Sequence, residues 1–346
     1  MRKMNTATSA VANREDKAEV FFDALFRDSK GRVVDPPASL HDMPVADTHA
    51  HLDMLPHPHL ALARSKANNV EFIVTVVDPS EDPAYTYDQL AIWQHQAREL
   101  LESWQLSNVP HRFVAAAEAP RVRAIVGCHP HNAAKFTCEV ERALIQAAAR
   151  PLTAGIGEIG LDYHYDLSPR PVQQEAFRRQ LALANEMLLP VALHLREAHE
   201  DGLAILRKEG VPEAGLLLHC FNLDFATLEP FLALGCMVAY GGPLTFKKSD
   251  ELRVAAARTP RERIVTETDA PFMAPHPLRG TRCGPEDVVF TAACLVEAFG
   301  FEGIEARQLL NDCYENARRL FDRDTTAWQD SPAALQTLLD HAKGVV

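Results

Sequence analysis

The chain has 346 residues, 47% apolar and 24% charged, which fits one large globular domain or two average ones and excludes a disordered chain, a coiled coil or a collagen-like fibre. Lys and Arg number 35 against 47 Asp and Glu, a formal net charge of −12, which argues against a surface coating long nucleic acids and leaves room for a local site at a strand end. No apolar run approaches the roughly 18 residues that cross a bilayer, and seven cysteines without a CxxC pair read as reduced thiols of a cytoplasmic protein rather than a disulfide framework.

Residues 1–43 read as an N-terminal extension. No apolar signal-peptide core follows Met1, and Glu15 and Asp16 count against a transit peptide. Glu15 to Arg27 can form one amphipathic helix with Val20, Phe21, Leu25 and Phe26 on one side, before Asp35-Pro36-Pro37 breaks the chain. From residue 44 short apolar runs alternate with helical patterns. The strand candidates are Val45–Thr48, Glu71–Val77, Val122–Gly127, Ala154–Glu158, Pro190–Leu195, Gly215–His219, Gly235–Tyr240 and Arg263–Thr266. Helices are expected between them, as at Val172–Met187 and Arg196–Glu209, with Gly210 and Gly235 at chain reversals. Eight such units predict an α/β fold, a (β/α)8 TIM barrel over 44–322. An open doubly wound sheet is the alternative, with no GxGxxG or P-loop to support it. The connection at about 78–121 is long and carries a helix over Tyr87–Leu106 with Trp93 and Trp104, either an enlarged outer layer or a lid or partner surface. Residues 323–346 read as a C-terminal helical tail.

The polar residues at strand ends are the informative ones. Asp47, His49 and His51 share a face of an extended first strand, and two imidazoles on one face can hold a divalent metal. The alternative is two surface histidines in a loop. Glu158, flanked by Gly157 and Gly160, ends the fourth strand as an inward carboxylate or as a buried partner of an arginine. The fifth and sixth strands end in His194 and His219, each of which alone also reads as a core histidine. Glu267 and Asp269 share a parity at the eighth strand, where Asp269 serves as a rim carboxylate or a helix cap and Pro271 ends the strand. Together these are four histidines and two acids at the rim where barrel enzymes place catalytic groups. Six N/O donors suit two divalent ions about 3.5–4 Å apart, Mg2+, Mn2+ or Zn2+, and the absence of cysteine from the set disfavours a structural thiolate site.

These segments resemble the TatD-like metal-dependent hydrolases of the amidohydrolase superfamily. The matching stretches include DTHAHLD (47–53), VGCHPHNA (126–133), GEIGLDYH (157–164), LLHCF (217–221), YGGPLTFKKS (240–249), ETDAPFMAP (267–275) and PLRGTR (277–282). The sequence departs from the family pattern at Asn222-Leu223 and at Cys283-Gly284-Pro285. The resemblance implies a (β/α)8 barrel, with 3′-to-5′ deoxyribonuclease or related phosphoesterase activity. It also implies one ion on His49, His51, Glu158 and Asp269, and a second on Glu158, His194 and His219.

The reaction expected is hydrolysis of an ester bond by a metal-activated water, with Asp269 as general base. Arg196 is positioned to bind a phosphate or carboxylate bidentately, or else to pair with an acid of its own surface. His131, in the His129-Pro130-His131 turn, and Arg279 are further substrate contacts, whereas Lys247 and Lys248 read as a solvated helix start. The substrate is expected to be a single-stranded DNA end or a small phosphodiester. A small ester, lactone or amide on the same centre is the alternative, and a non-catalytic metal-binding interaction protein a third that an intact Asp269 argues against. Nothing in the sequence points to a membrane or to a protein partner.

Overall fold

A computed structural model describes residues 21–38, 43–106 and 118–342. Eight parallel strands form one sheet in sequential order: β1 (Val45–Ala50), β2 (Val70–Val77), β3 (Arg121–Val126), β4 (Thr153–Asp162), β5 (Val191–Arg196), β6 (Leu216–Leu218), β7 (Met237–Tyr240) and β8 (Ile264–Thr266). Strands such as β2, Val-Glu-Phe-Ile-Val-Thr-Val-Val, are buried on both faces, as parallel strands under helices must be. The barrel closes between β8 and β1. Ala50 bridges Ala270, Asp269 N donates to His49 O at 2.9 Å, and His51 N donates to Ala270 O at 2.7 Å.

The helices are α1 (Pro58–Ala67), α2 (Pro83–Leu106), α3 (Cys138–Ala148), α4 (Arg170–Met187), α5 (His199–Glu209), α6 (Phe225–Ala233), α7 (Asp250–Arg258), α8 (Val288–Phe299), α9 (Gly303–Phe321) and α10 (Pro332–His341). Local chemistry sets their ends. Asp224 accepts from Thr227 N at 2.9 Å to start α6, and α4 stops where Leu188 turns left-handed at φ 57°. Inside the barrel, Ala46, Phe72, Val74, Ile125, Ala192, Leu217 and Val265 pack with Ala317, Leu320 and Phe321 of α9, so that α9 supplies side chains to the barrel interior. No helix among the described residues is long and apolar enough to cross a membrane.

The helix expected over 15–27 is corrected at its C-terminal end. Phe26–Arg27 pairs antiparallel with Val33–Val34 in a two-stranded ribbon, and residues 1–20 lie outside the described residues. Arg64 of α1 donates to Phe21 O and Asp23 O, and Trp104 of α2 donates its indole N–H to Phe22 O. These tertiary bonds hold the main chain of residues 21–23 against α1 and α2. The long connection supplies α2, which buries Tyr87, Leu90, Trp93, Leu101 and Trp104 in the outer core. Its residues 107–117, on which the lid or partner-surface expectation also falls, lie outside the described residues. Lys247 and Lys248 are exposed just before α7.

Candidate metal centre

The structure brings His49, His51, Glu158, His194, His219 and Asp269 to the C-terminal mouth of the barrel. His49 belongs to β1 and His51 directly follows it. Glu158 lies in β4 and His194 in β5, while His219 follows β6 and Asp269 follows β8. Glu158, 3% exposed, is central. Its Oε2 lies 3.3 Å from His49 Nε2 and 3.8 Å from His51 Nε2. Its Oε1 lies 2.6 Å from His194 Nδ1 and 3.1 Å from His219 Nε2. Asp269 Oδ1 is 3.5 Å from His51 Nε2 and 4.0 Å from His49 Nε2. One carboxylate therefore stands between two imidazole groups with one oxygen toward each.

The backbone explains why these groups meet. The bonds that close the barrel run through His49, His51, Asp269 and Ala270, so closure also sets three of the donors. Asp47 does not join them. It accepts from Thr268 N and Thr268 Oγ1, tying the chain after β8 to β1, and burial pushes its carboxyl pKa well above the usual range. Gly160, at φ 144°, lets β4 approach β5, since a Cβ there would sit 2.0 Å from His194 O. β8 ends at Thr266, and Asp269, three residues on, is left-handed at φ 62°, ahead of Pro271.

Three further residues complete the cluster. His129, weighed in the sequence only as a weak substrate contact, places Nε2 3.5 Å from Glu158 Oε1. Glu267 Oε2 lies 3.2 Å from His219 Nδ1, and its Oε1 accepts from Cys220 N at 2.6 Å. Asp162 Oδ2 lies 3.2 Å from His194 Nε2 and 2.9 Å from His131 Nε2. The parity of Glu267 with Asp269 and the His-Pro-His turn were the signals in the sequence. Nothing local marked Asp162.

The electrostatics ask for added positive charge. Among the described residues no Lys or Arg pairs with Glu158, Asp162, Glu267 or Asp269, so the buried-arginine reading of Glu158 is not seen. Burial acts to raise the Glu158 pKa, but His129, His219, His49 and His194 hold it well below the usual range. Burial likewise opposes ionisation of Asp269, and His51 first among the imidazoles keeps it low. Burial acts to lower the His219 pKa, yet Glu267 and Glu158 raise it well above the ordinary value. Burial lowers His129 to about 4, so this imidazole is neutral; its Nδ1 accepts from His131 N at 3.2 Å, which leaves the ring proton on Nε2, toward Glu158.

Groups of donor atoms within 4.8 Å of one another form at His49, His51 and Glu158; at His49, His219 and Asp269; and at His129, Glu158 and His194. His219, Cys220 and Glu267 form another, where Glu267 reads better as the partner that orients His219. The buried His49 Nδ1 has no hydrogen-bond partner. Imidazole and carboxylate donors around shared negative charge fit divalent cations well.

The expected substrate contacts separate. His131 is held by Asp162 at the edge of the cluster, its side chain 27% exposed. Arg196, at the end of β5, lies over the Tyr165 ring at 4.7 Å and makes no ion pair among the described residues, so the surface salt bridge is not seen. Arg279 is exposed and lies over the Phe246 ring at 3.7 Å, and among the described residues it makes no ion pair with the carboxylates of the cluster.

The family described as TatD related DNase matches residues 46–322. The chain is 34% identical to an uncharacterized metal-dependent hydrolase, YabD of Bacillus subtilis, over 80% of this chain and 98% of that protein. It is 35% identical to the 3′-5′ ssDNA/RNA exonuclease TatD of Pantoea vagans, over 56% of this chain and 76% of that protein. Among solved structures, the TatD homolog YJJV of Escherichia coli K12 superposes with a TM-score of 0.65 at 25% identity, covering 82% of this chain and 99% of that one.

Proposed function

This chain belongs to the TatD-related DNase family and is a metal-dependent hydrolase, and from that premise we propose that it cleaves phosphodiester bonds, removing nucleotides from the 3′ end of a single strand. The unit that does so is the barrel of about 44–322, flanked by an N-terminal extension and a C-terminal helical tail. The observation that carries the reading is the Glu158 carboxylate, which offers one oxygen to each of two imidazole groups. That arrangement suits a pair of divalent ions, Mg2+, Mn2+ or Zn2+. One is assigned to His49, His51, Glu158 and Asp269, and the other to Glu158, His194 and His219. Ions held there supply Lewis acidity toward a phosphoryl oxygen and lower the pKa of the attacking water.

The chain's own residues do the rest. Asp269, kept ionised by its imidazole neighbours, accepts the proton of the water as general base. Glu267 and Asp162 fix the ring orientation of His219 and His194 from the side away from Glu158. Arg196, with no carboxylate partner among the described residues, binds a non-bridging phosphate oxygen, and His131, held by Asp162, stands beside it at the edge of the site. Arg279 is assigned a part only further along the strand.

The test is a comparison of labelled single-stranded oligonucleotides with p-nitrophenyl carboxylic esters, lactones and amides, each with Mg2+, Mn2+ or Zn2+ added to chelator-treated protein. The expected result is metal-dependent loss of single nucleotides and at most slow turnover of the others. Efficient ester, lactone or amide hydrolysis with intact oligonucleotides would place the chain elsewhere in the superfamily.

A further inference from the structure

Two large aromatic side chains stand open to solvent beside the metal centre, at opposite ends of it. Phe272 is 48% exposed on the loop after β8, three residues beyond Asp269. Its ring meets His51 edge-on, with centroids 6.1 Å apart and planes at 75°. Tyr165 is 51% exposed on the loop after β4, three residues beyond Asp162. Its ring meets His131 with centroids 5.4 Å apart and planes at 89°, and Arg196 lies against it. Phe272 thus adjoins the His49, His51 and Asp269 end of the cluster. Tyr165 adjoins the His129, His194 and Asp162 end, where the His129 and His131 centroids are 4.3 Å apart and the His129 and His194 centroids 4.6 Å.

Leaving half of such a ring in water forgoes burial that folding would otherwise gain. Neither ring takes part in the core; Phe272 stands beside His51, and Tyr165 stands beside His131 and His164 with Arg196 over its ring. A nucleobase is the flat, polarisable partner that a phosphodiester brings with it. Every base presents a π-face, so stacking of this kind tolerates any sequence. Resting on the phosphodiester reading above, we infer that Tyr165 and Phe272 form a base clamp. The two nucleotides joined by the scissile phosphate each stack on one of these rings, with the phosphate between them at the metal centre. Arg196 then has a double role, stiffening Tyr165 through its cation–π contact and facing the phosphate. Because a base-paired nucleotide keeps both its faces inside the duplex stack, the clamp selects unpaired ends, in DNA or RNA alike, without sequence preference.

The test uses metal-loaded enzyme and oligonucleotides carrying one tetrahydrofuran abasic residue on either side of the bond to be cut. In wild type, each abasic residue is expected to lower kcat/KM about 5- to 150-fold, the range of base–aromatic stacking. Phe272→Ala and Tyr165→Ala each erase the discrimination at one of the two positions and leave it at the other, while Tyr165→Phe retains it. A second readout is stopped-flow fluorescence of 2-aminopurine at these positions. Its quenching on mixing, before any cleavage, is expected in wild type and lost at one position in each alanine variant. Wild-type enzyme that cuts abasic and normal strands equally well, or alanine variants that still discriminate at both positions, would overturn the clamp and leave the phosphodiester reading standing. Wild-type enzyme that neither binds nor cuts any strand would overturn both.

Discussion

Asp269 occupies a position no neighbouring residue can take over. Its main chain is fixed by the bond to His49 O, its φ is left-handed, and its Oδ1 lies within 4.0 Å of both His49 and His51. Asp269→Asn retains that hydrogen-bonding geometry but cannot accept a proton. We expect kcat to fall at least about 10²–10⁴-fold, with metal content by elemental analysis near that of wild type; full metal with near-normal turnover removes Asp269 as the base. Glu267 acts through another residue. With Oε2 on His219 Nδ1 and Oε1 on Cys220 N, it fixes the imidazole that faces Glu158. Glu267→Gln should weaken metal binding about 10–100-fold, read by competition against a chromogenic chelator, and excess metal should restore much of the rate. An unchanged affinity would mean that His219 is oriented by packing alone. His49 and His51 are legible from their shared parity on an extended strand, Glu158 from its flanking glycines, His194 and His219 as polar residues ending apolar runs, and Asp269 from its place just before Pro271. His129 is marked only by the His-Pro-His turn and Asp162 by nothing local, because their roles depend on groups that other strands and loops bring to them.

At the level of elements, the barrel depends on close approach between β4 and β5. Gly160 faces His194 O, and a methyl group there would lie 2.0 Å away on a backbone held at φ 144°. Gly160→Ala combines an unfavourable backbone conformation with overpacking and is expected to cost about 2–4 kcal/mol. Chemical denaturation measures this, and a loss below about 0.5 kcal/mol would show that the two strands separate freely. The eight strands could be read because buried parallel strands are continuous apolar runs, of which Val70–Val77 is the plainest. The stretch before residue 28 is not legible in this way, because its amphipathic pattern carries no sign of the Arg64 and Trp104 donors from which its carbonyls accept. A local pattern cannot register a partner 40 to 80 residues away.

For the whole molecule, stability and metal binding both respond to acid, and one histidine separates the two effects. His199 begins α5 with its ring 6.3 Å from that of Phe221 and 6.2 Å from that of Phe231. Burial, and then the charge of His194, lowers its pKa to about 4. The unfolded chain protonates this imidazole near pH 6.5 while the folded one does not until about pH 4. Between those values the unfolded state binds more protons, so stability present above pH 6.5 is lost as the pH falls toward 4. His199→Leu should reduce the drop in unfolding free energy between pH 7 and pH 5 by about 2 kcal/mol, measured by urea denaturation in excess chelator. An equal drop in variant and wild type would assign the acid sensitivity to the remaining histidines.

The arrangement around Glu158 is what makes the molecule an enzyme in this account, and a gel-resolved time course tests it most directly. A 5′-labelled single-stranded oligonucleotide is incubated with wild type and Glu158→Gln, each with Mn2+ and with chelator, after circular dichroism has shown that both are folded. Wild type with Mn2+ should shorten the strand one nucleotide at a time from the 3′ end. The chelated protein and Glu158→Gln should leave it intact. Shortening that persists in chelator, or that proceeds undiminished in Glu158→Gln, would contradict the account.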